Sequence, residues 1–167
     1  MKYWLISDTH FNHENIEKWG GRSGDWQEKL WSGLNKIPIR DILIHLGDVC
    51  IGNDNEVHNK IQAVAGHAKK ILVLGNHDKK SKQWYHEHGW DFVCDGLEIL
   101  FQGHYLHLTH RPARPQGNTT WNIHGHTHTN VLEGPYVNVC VEHTGYAPLS
   151  FEAVERRAAR AREVAGG

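Results

Sequence analysis

Five short polar clusters carry donor types that bind metal ions: Asp8-Thr9-His10, Gly47-Asp48, Gly75-Asn76-His77-Asp78, His110, and Gly125-His126-Thr127-His128. Each follows a short apolar run: Tyr3-Trp4-Leu5-Ile6, Ile42-Leu43-Ile44-His45-Leu46, Leu72-Val73-Leu74, Tyr105-Leu106-His107-Leu108 and Trp121-Asn122-Ile123-His124. Runs of this length bounded by a turn signal predict buried strands. Ligand groups in open α/β sheets sit just beyond the carboxyl ends of such strands. The five strand ends are therefore expected to meet around metal ions. Carboxylate, amide and imidazole donors without thiolates suit Mn, Fe, Ni or Zn, and Mg less well where histidines are many. A lone Asp-x-His or His-x-His is weak evidence, whereas the whole ordered set is strong.

The 167 residues suffice for a single domain, 1–167, with its own core. A net charge of −1 provides no general attraction to nucleic acid or to membrane, and makes a nuclease the less favoured reading. Fifteen histidines against 18 Lys plus Arg point to metal binding or proton transfer. Three cysteines, Cys50, Cys94 and Cys140, are odd in number and lack Cys-x-x-Cys spacing, which argues against a disulfide framework or a structural zinc knuckle. With neither a secretory leader nor an 18-residue apolar run, the expectation is a cytoplasmic chain that does not span a membrane.

The elements that must position these groups follow the chain. Asp25 and Glu28 form a capping-box pattern ahead of a helix whose Trp26, Leu30, Trp31 and Leu34 share a face, with Pro38 as its stop. Val57, Ile61 and Val64 mark a second helix closed by Gly66, and residues 80–88 a short third one before Gly89. Asp95-Gly96 predicts a hairpin between residues 90–94 and 97–101, and Gln102-Gly103 a second reversal into 104–109. The last strand is expected over 136–141. Ser150 is expected to cap a final helix over 151–165, with Val154, Ala158, Ala161 and Ala165 at helical spacing. The order β-α-β-α-β followed by strands predicts a mixed sheet or two packed sheets with helices outside.

The ordered clusters resemble the calcineurin-like metallophosphoesterase superfamily, with all five blocks present over residues 8–128 and no motif position missing. Asp8-Thr9-His10-Phe11-Asn12-His13-Glu14-Asn15 is further similar to a small bacterial and phage branch of it. The resemblance implies an α/β class fold, a four-layer α/β/β/α sandwich with two mixed sheets. It implies that Asp8, His10 and His128 bind one divalent cation and Asn76, His110 and His126 a second, with Asp48 bridging them through its two oxygens. Manganese is the expected metal, with Fe, Ni, Zn and Mg open. A hydroxide bridging the metals would attack phosphorus, and both cations would hold phosphate oxygens. His77 would face the leaving group as acid or charge-stabilising donor, with Asp78 orienting it.

The expected activity is thus metal-dependent hydrolysis of a phosphodiester or phosphomonoester in a small, nucleotide-like substrate. A pyrophosphohydrolase, a nuclease and a noncatalytic scaffold on the same fold are the rivals. Asn12, His13, Arg111 and Arg114 are further candidates to touch substrate phosphate. His45, His107 and His124 lie within strands and read as core or supporting histidines. Cys50 reads as a packing residue.

Overall fold

The computed structural model describes residues 1–66 and 68–165, with the side chains of Trp19 and of residues 160–165 outside that description. Two mixed sheets share the chain. The first contains β1 (Tyr3–Ile6), β2 (Ile42–His45), β3 (Lys69–Val73), β4 (Phe92–Cys94) and β9 (Leu149–Ser150), in the order β4-β3-β2-β1-β9. Its first four strands are parallel, and β9 runs antiparallel beside β1. The second contains β5 (Leu97–Phe101), β6 (His104–Thr109), β7 (Thr119–His124) and β8 (Tyr136–Asn138) in sequential order. Here β6, β7 and β8 are parallel and β5 is antiparallel.

Alternation along each strand divides the apolar residues between two cores. Ile6, Leu43 and Leu72 face the helices α2 (Trp26–Asn35), α3 (Asp54–Ala65) and α4 (Lys82–Glu87), burying Trp26, Leu30, Val57, Ile61 and Tyr85. Their neighbours Leu5, Ile44 and Val73 face the second sheet and meet Leu106, Leu108, Trp121 and Ile123. Residues one apart in a strand point to opposite faces, so one sheet serves both cores. The final helix, α6 (Phe151–Ala165), adds Phe151, Val154 and Ala158 to the inter-sheet core. Ser150 accepts a hydrogen bond from the Ala153 amide at its start, as expected. The expected Ala161 and Ala165 contacts lie outside the described side chains. Among the described residues no helix is long and apolar enough to cross a membrane.

Four local expectations need correction. Asp95-Gly96 does not close a hairpin: β4 pairs in parallel with β3, while β5 pairs with β6, so this dipeptide carries the chain between sheets. Val93 and Trp90 bury on the helix side, whereas Leu97, Ile99 and Phe101 pack on the inter-sheet core. Those two burials outweigh a local turn preference. Asp25 stands at the N-cap position, but its side chain makes no capping bond and instead accepts from Ser23 and Lys29. The strand expected over 136–141 stops at Asn138 and gives way to a one-turn helix, α5 (Val141–Thr144). The polar loop after Phe11 includes a further short helix, α1 (Ile16–Gly20). Gln102-Gly103 does turn the chain: both residues have positive φ, 47° and 85°, as a type I′ hairpin requires.

Candidate metal centre

The parallel strands of both sheets deliver their carboxyl ends to one edge. β1 leads to Asp8 and His10, β2 to Asp48, β3 to Asn76, β6 to His110, and β7 to His126 and His128. The backbone there is unusual. Asp8, His10, Asp48, His126 and His128 all adopt left-handed φ, between 47° and 66°. Asp and His tolerate this region better than most residues, yet each instance still costs on the order of 1–3 kcal/mol. Glycine permits the close approach of these loops. A Cβ on Gly75 would overlap the Asp48 carboxylate, and one on Gly125 would overlap Ser7 Oγ and Asp8 Oδ2.

Each buried carboxylate is tethered by one oxygen and presents the other. Asp8 Oδ2 accepts from Ser7 Oγ at 2.5 Å, the His126 amide at 2.8 Å and Cys140 Sγ at 3.2 Å. Asp8 Oδ1 is buried with no hydrogen-bond partner. It lies 3.6 Å from His10 Nε2 and 4.0 Å from His128 Nε2. Asp48 Oδ1 accepts the His77 amide at 2.7 Å. Asp48 Oδ2 faces inward, 3.6 Å from His10 Nε2 and 3.4 Å from His110 Nε2. Of the two Asp48 oxygens, Oδ2 is thus the one that lies among the imidazoles, while Oδ1 accepts from the backbone.

The imidazole tautomers test whether a cation fits. His110 Nδ1 lies 2.8 Å from the Leu46 carbonyl, which only accepts, so Nδ1 carries the proton. The Nε2 lone pair then faces Asn76 Oδ1 at 3.0 Å and Asp48 Oδ2 at 3.4 Å. His128 repeats the arrangement: Nδ1 donates to Glu142 at 3.0 Å and Nε2 turns toward Asp8. His10 is 3% exposed, and neither ring nitrogen has a hydrogen-bond partner. Buried lone pairs that converge on one another require a cation or a proton between them. Burial presses the His110 pKa down, yet the facing Asp48 carboxylate and the charge of Asp8 outweigh it and the net shift is upward. The Glu142 bond raises His128. Burial pushes the Asp8 carboxyl up, but the facing His10 imidazole, the nearby His110 and the Ser7 bond bring it well below the usual carboxylate range. Two donor groups result, Asp8/His10/His128 and Asp48/His110/His126, the ligand atoms of each lying within 4.8 Å of one another.

Of the remaining candidates, His77 sits at the open side with its Nε2 3.9 Å from Asp48 Oδ2 and its ring 5.4 Å from that of His10. Asp78 does not orient it. The Asp78 carboxylate instead accepts the amides of Asp48 at 2.8 Å, Val49 at 3.1 Å and Gly75 at 2.8 Å, welding the two ligand loops together. The His13 ring is edge-on to His10 at 5.7 Å, and Arg111 donates to Asn76 Oδ1 at 3.3 Å, so both border the centre. Asn12 neighbours His13 and is held through its amide by Gln27. Arg114 is exposed and bonded to none of the ligand residues. His45 is a satisfied core histidine: the Gly47 amide donates to Nδ1, leaving Nε2–H for Thr9 Oγ1.

Arg22 and Glu142 escaped the sequence reading. They form a buried ion pair at 2.7 Å beside His128. Glu142 follows the end of β8, so the strand-end rule that flagged the other clusters applies to it as well. A third cluster, Cys50/Asp54/His58, also brings ligand atoms within 4.8 Å. Its chemistry does not suit a metal. The Trp90 indole, a donor only, gives its Nε1–H to His58 Nδ1 at 2.9 Å, so the proton sits on Nε2, the nitrogen that faces Cys50. Burial also pushes the Cys50 thiol up to about 12, so it is a neutral thiol in this packing.

Comparison with known proteins agrees with this architecture. The chain is 29% identical to an uncharacterised protein of Methanocaldococcus jannaschii, over 92% of this chain and 89% of the relative. It superimposes on a protein of unknown function from Aquifex aeolicus with a TM-score of 0.75 and 28% identity, covering 93% of this chain and 98% of that one. A Pseudomonas putida nuclease shares the fold more distantly, with a TM-score of 0.51 and 20% identity over 75% of this chain and 61% of the nuclease. The family model of the calcineurin-like phosphoesterase superfamily domain matches residues 1–143. With that match and two sheets meeting at a cluster of carboxylates and imidazoles, the chain belongs to the calcineurin-like phosphoesterase superfamily.

Proposed function

We propose that this protein is a divalent-metal-dependent phosphoesterase with a dinuclear centre, hydrolysing phosphodiester or phosphomonoester bonds in a small, nucleotide-like substrate. The observation that carries the reading is a convergence of acceptors: Asp8 Oδ1 and His10 Nε2 are buried without a hydrogen-bond partner, and Asp48 Oδ2, Asn76 Oδ1 and His110 Nε2 turn toward the same space. Asp8, His10 and His128 hold one cation, Asn76, His110 and His126 the other, and Asp48 Oδ2 is shared. Manganese suits the mixed nitrogen and oxygen donors. When bound, two divalent cations acidify water and neutralise phosphate oxygens.

The chain's own residues complete the chemistry. Asn76 contributes a neutral oxygen, which limits the negative charge facing an anionic ester. Arg111, exposed beside Asn76, holds a phosphate oxygen through its guanidinium. His77, with its side chain 46% exposed, is free to reach a leaving-group oxygen and give it a proton. That donor favours esters with alkoxide leaving groups, and hence a diesterase acting on nucleotide-like substrates.

Equilibrium metal titration, paired with hydrolysis of bis(4-nitrophenyl) phosphate and of a panel of nucleotides, tests the reading. Two divalent ions per chain and hydrolysis that stops on chelation and returns with manganese are expected. Tight metal binding with no hydrolysis of any ester would instead mark a scaffold.

A further inference from the structure

One buried ion pair is aimed at one of the two donor groups. The Arg22 and Glu142 side chains are 0% and 6% exposed, and 120 residues separate them. Glu142 Oε1 accepts three bonds: from Arg22 Nε at 2.9 Å, from Arg22 NH2 at 2.7 Å and from His128 Nδ1 at 3.0 Å. The same guanidinium donates to the Asp8 carbonyl at 2.7 Å and to the Thr9 carbonyl at 2.8 Å. The pair thus grips the backbone that carries Asp8 and His10, and through Glu142 it grips the ring of His128. None of its bonds reaches Asp48, Asn76, His110 or His126.

A buried ion pair is poor evidence for stability by itself, because desolvation offsets much of the attraction. Its geometry does something more specific. A carboxylate accepting at Nδ1 leaves the Nε2 lone pair of a histidine available and fixes the plane of the ring. The planar guanidinium fork then sets where that carboxylate lies relative to the Asp8–His10 loop, a geometry that lysine does not reproduce.

We propose that Arg22 and Glu142 are positioning residues for one cation alone, that of the Asp8/His10/His128 group, and that they act through His128. The inference rests on the two-metal reading above. Loss of such a supporting carboxylate typically lowers metal affinity about 10–100-fold. In manganese titrations followed by calorimetry and electron paramagnetic resonance, the wild type is expected to show two sites. Glu142→Ala is expected to weaken one of them about 10–100-fold and leave the other unchanged. Glu142→Gln, which preserves size and an acceptor oxygen, is expected to fall between, and it stands in if the alanine variant does not fold. In a His128→Ala background the Glu142 substitution should add no further loss, whereas in a His110→Ala background it should add its full effect.

Two outcomes overturn the inference while leaving the two-metal reading intact. One is a Glu142 variant that melts lower than wild type yet titrates like it. The other is an affinity loss that recurs undiminished without His128. A wild-type protein that binds no divalent cation removes the two-metal reading itself, and the positioning role with it.

Discussion

His110 illustrates how a single residue constrains the centre. The Leu46 carbonyl fixes its tautomer, so its other nitrogen must face Asp48 and Asn76 as a lone pair. Burial opposes protonation there, but the Asp48 and Asp8 carboxylates outweigh it and raise its affinity for protons. His77 is placed differently, exposed at the rim, with its backbone amide bonded to Asp48 Oδ1 and its ring 5.4 Å from that of His10. His77→Ala should therefore retain metal, measured by titration, while losing about 10²–10⁴-fold in turnover on alkyl esters. A nitrophenolate leaving group needs little protonation, so its hydrolysis should fall far less. Equal losses on both ester types would remove the acid role. Asp78 belongs to a different category from the one its place in Asn76-His77-Asp78 suggests. Asp78→Ala leaves three amides without their acceptor and should lower stability by about 3 kcal/mol or more in chemical denaturation, with metal affinity falling as the loops separate.

At the scale of elements, the strand-end loops come close enough only where side chains are absent. Gly125 lies against Ser7 and Asp8, between the end of β7 and the end of β1. Gly125→Ala should push the 125–128 loop outward and destabilise the fold by about 1–3 kcal/mol. Because His126 and His128 ride on that loop, both metal affinities should drop in titration, unlike the one-site loss expected for Glu142→Ala. A variant with normal affinity at both sites would show that the loop relaxes without moving its histidines. The same scale explains the misread hairpin. Asp-Gly favours reversal within four residues, but the strands on either side of it have long-range partners in different sheets. Burial of Val93 on one core and of Leu97, Ile99 and Phe101 on the other decides the path.

At the scale of the whole molecule, two buried histidines outside both donor groups, His45 and His58, are expected to make the fold acid-sensitive. Burial holds His58 down to about 4 and His45 down to about 3, against 6.5 for an unperturbed histidine. Well above pH 6.5 neither takes up a proton in the folded or the unfolded chain. As pH falls below 6.5 the unfolded chain binds protons that the folded chain does not, and stability drops by about 2 kcal/mol per histidine at pH 5. His58→Asn keeps an acceptor near the Trp90 indole but removes the titration. Its melting temperature should decline less steeply between pH 6.5 and 5 than that of the wild type, and an unchanged slope would place the acid sensitivity elsewhere.

The amino-acid sequence alone determined the strand-end clusters, the main helices that connect the first three strands, and the donor types that suit a metal pair. Those features depend on neighbours within a few residues, through alternation, helical spacing and turn chemistry. Tertiary structure alone decided that Asp48 turns Oδ2 toward the imidazoles while Oδ1 accepts a backbone amide, that Asp78 binds backbone instead of His77, and that Arg22 meets Glu142 across 120 residues. Which atom a buried polar group satisfies depends on what packing brings beside it. That choice is made between segments far apart in the chain, where local spacing carries no information.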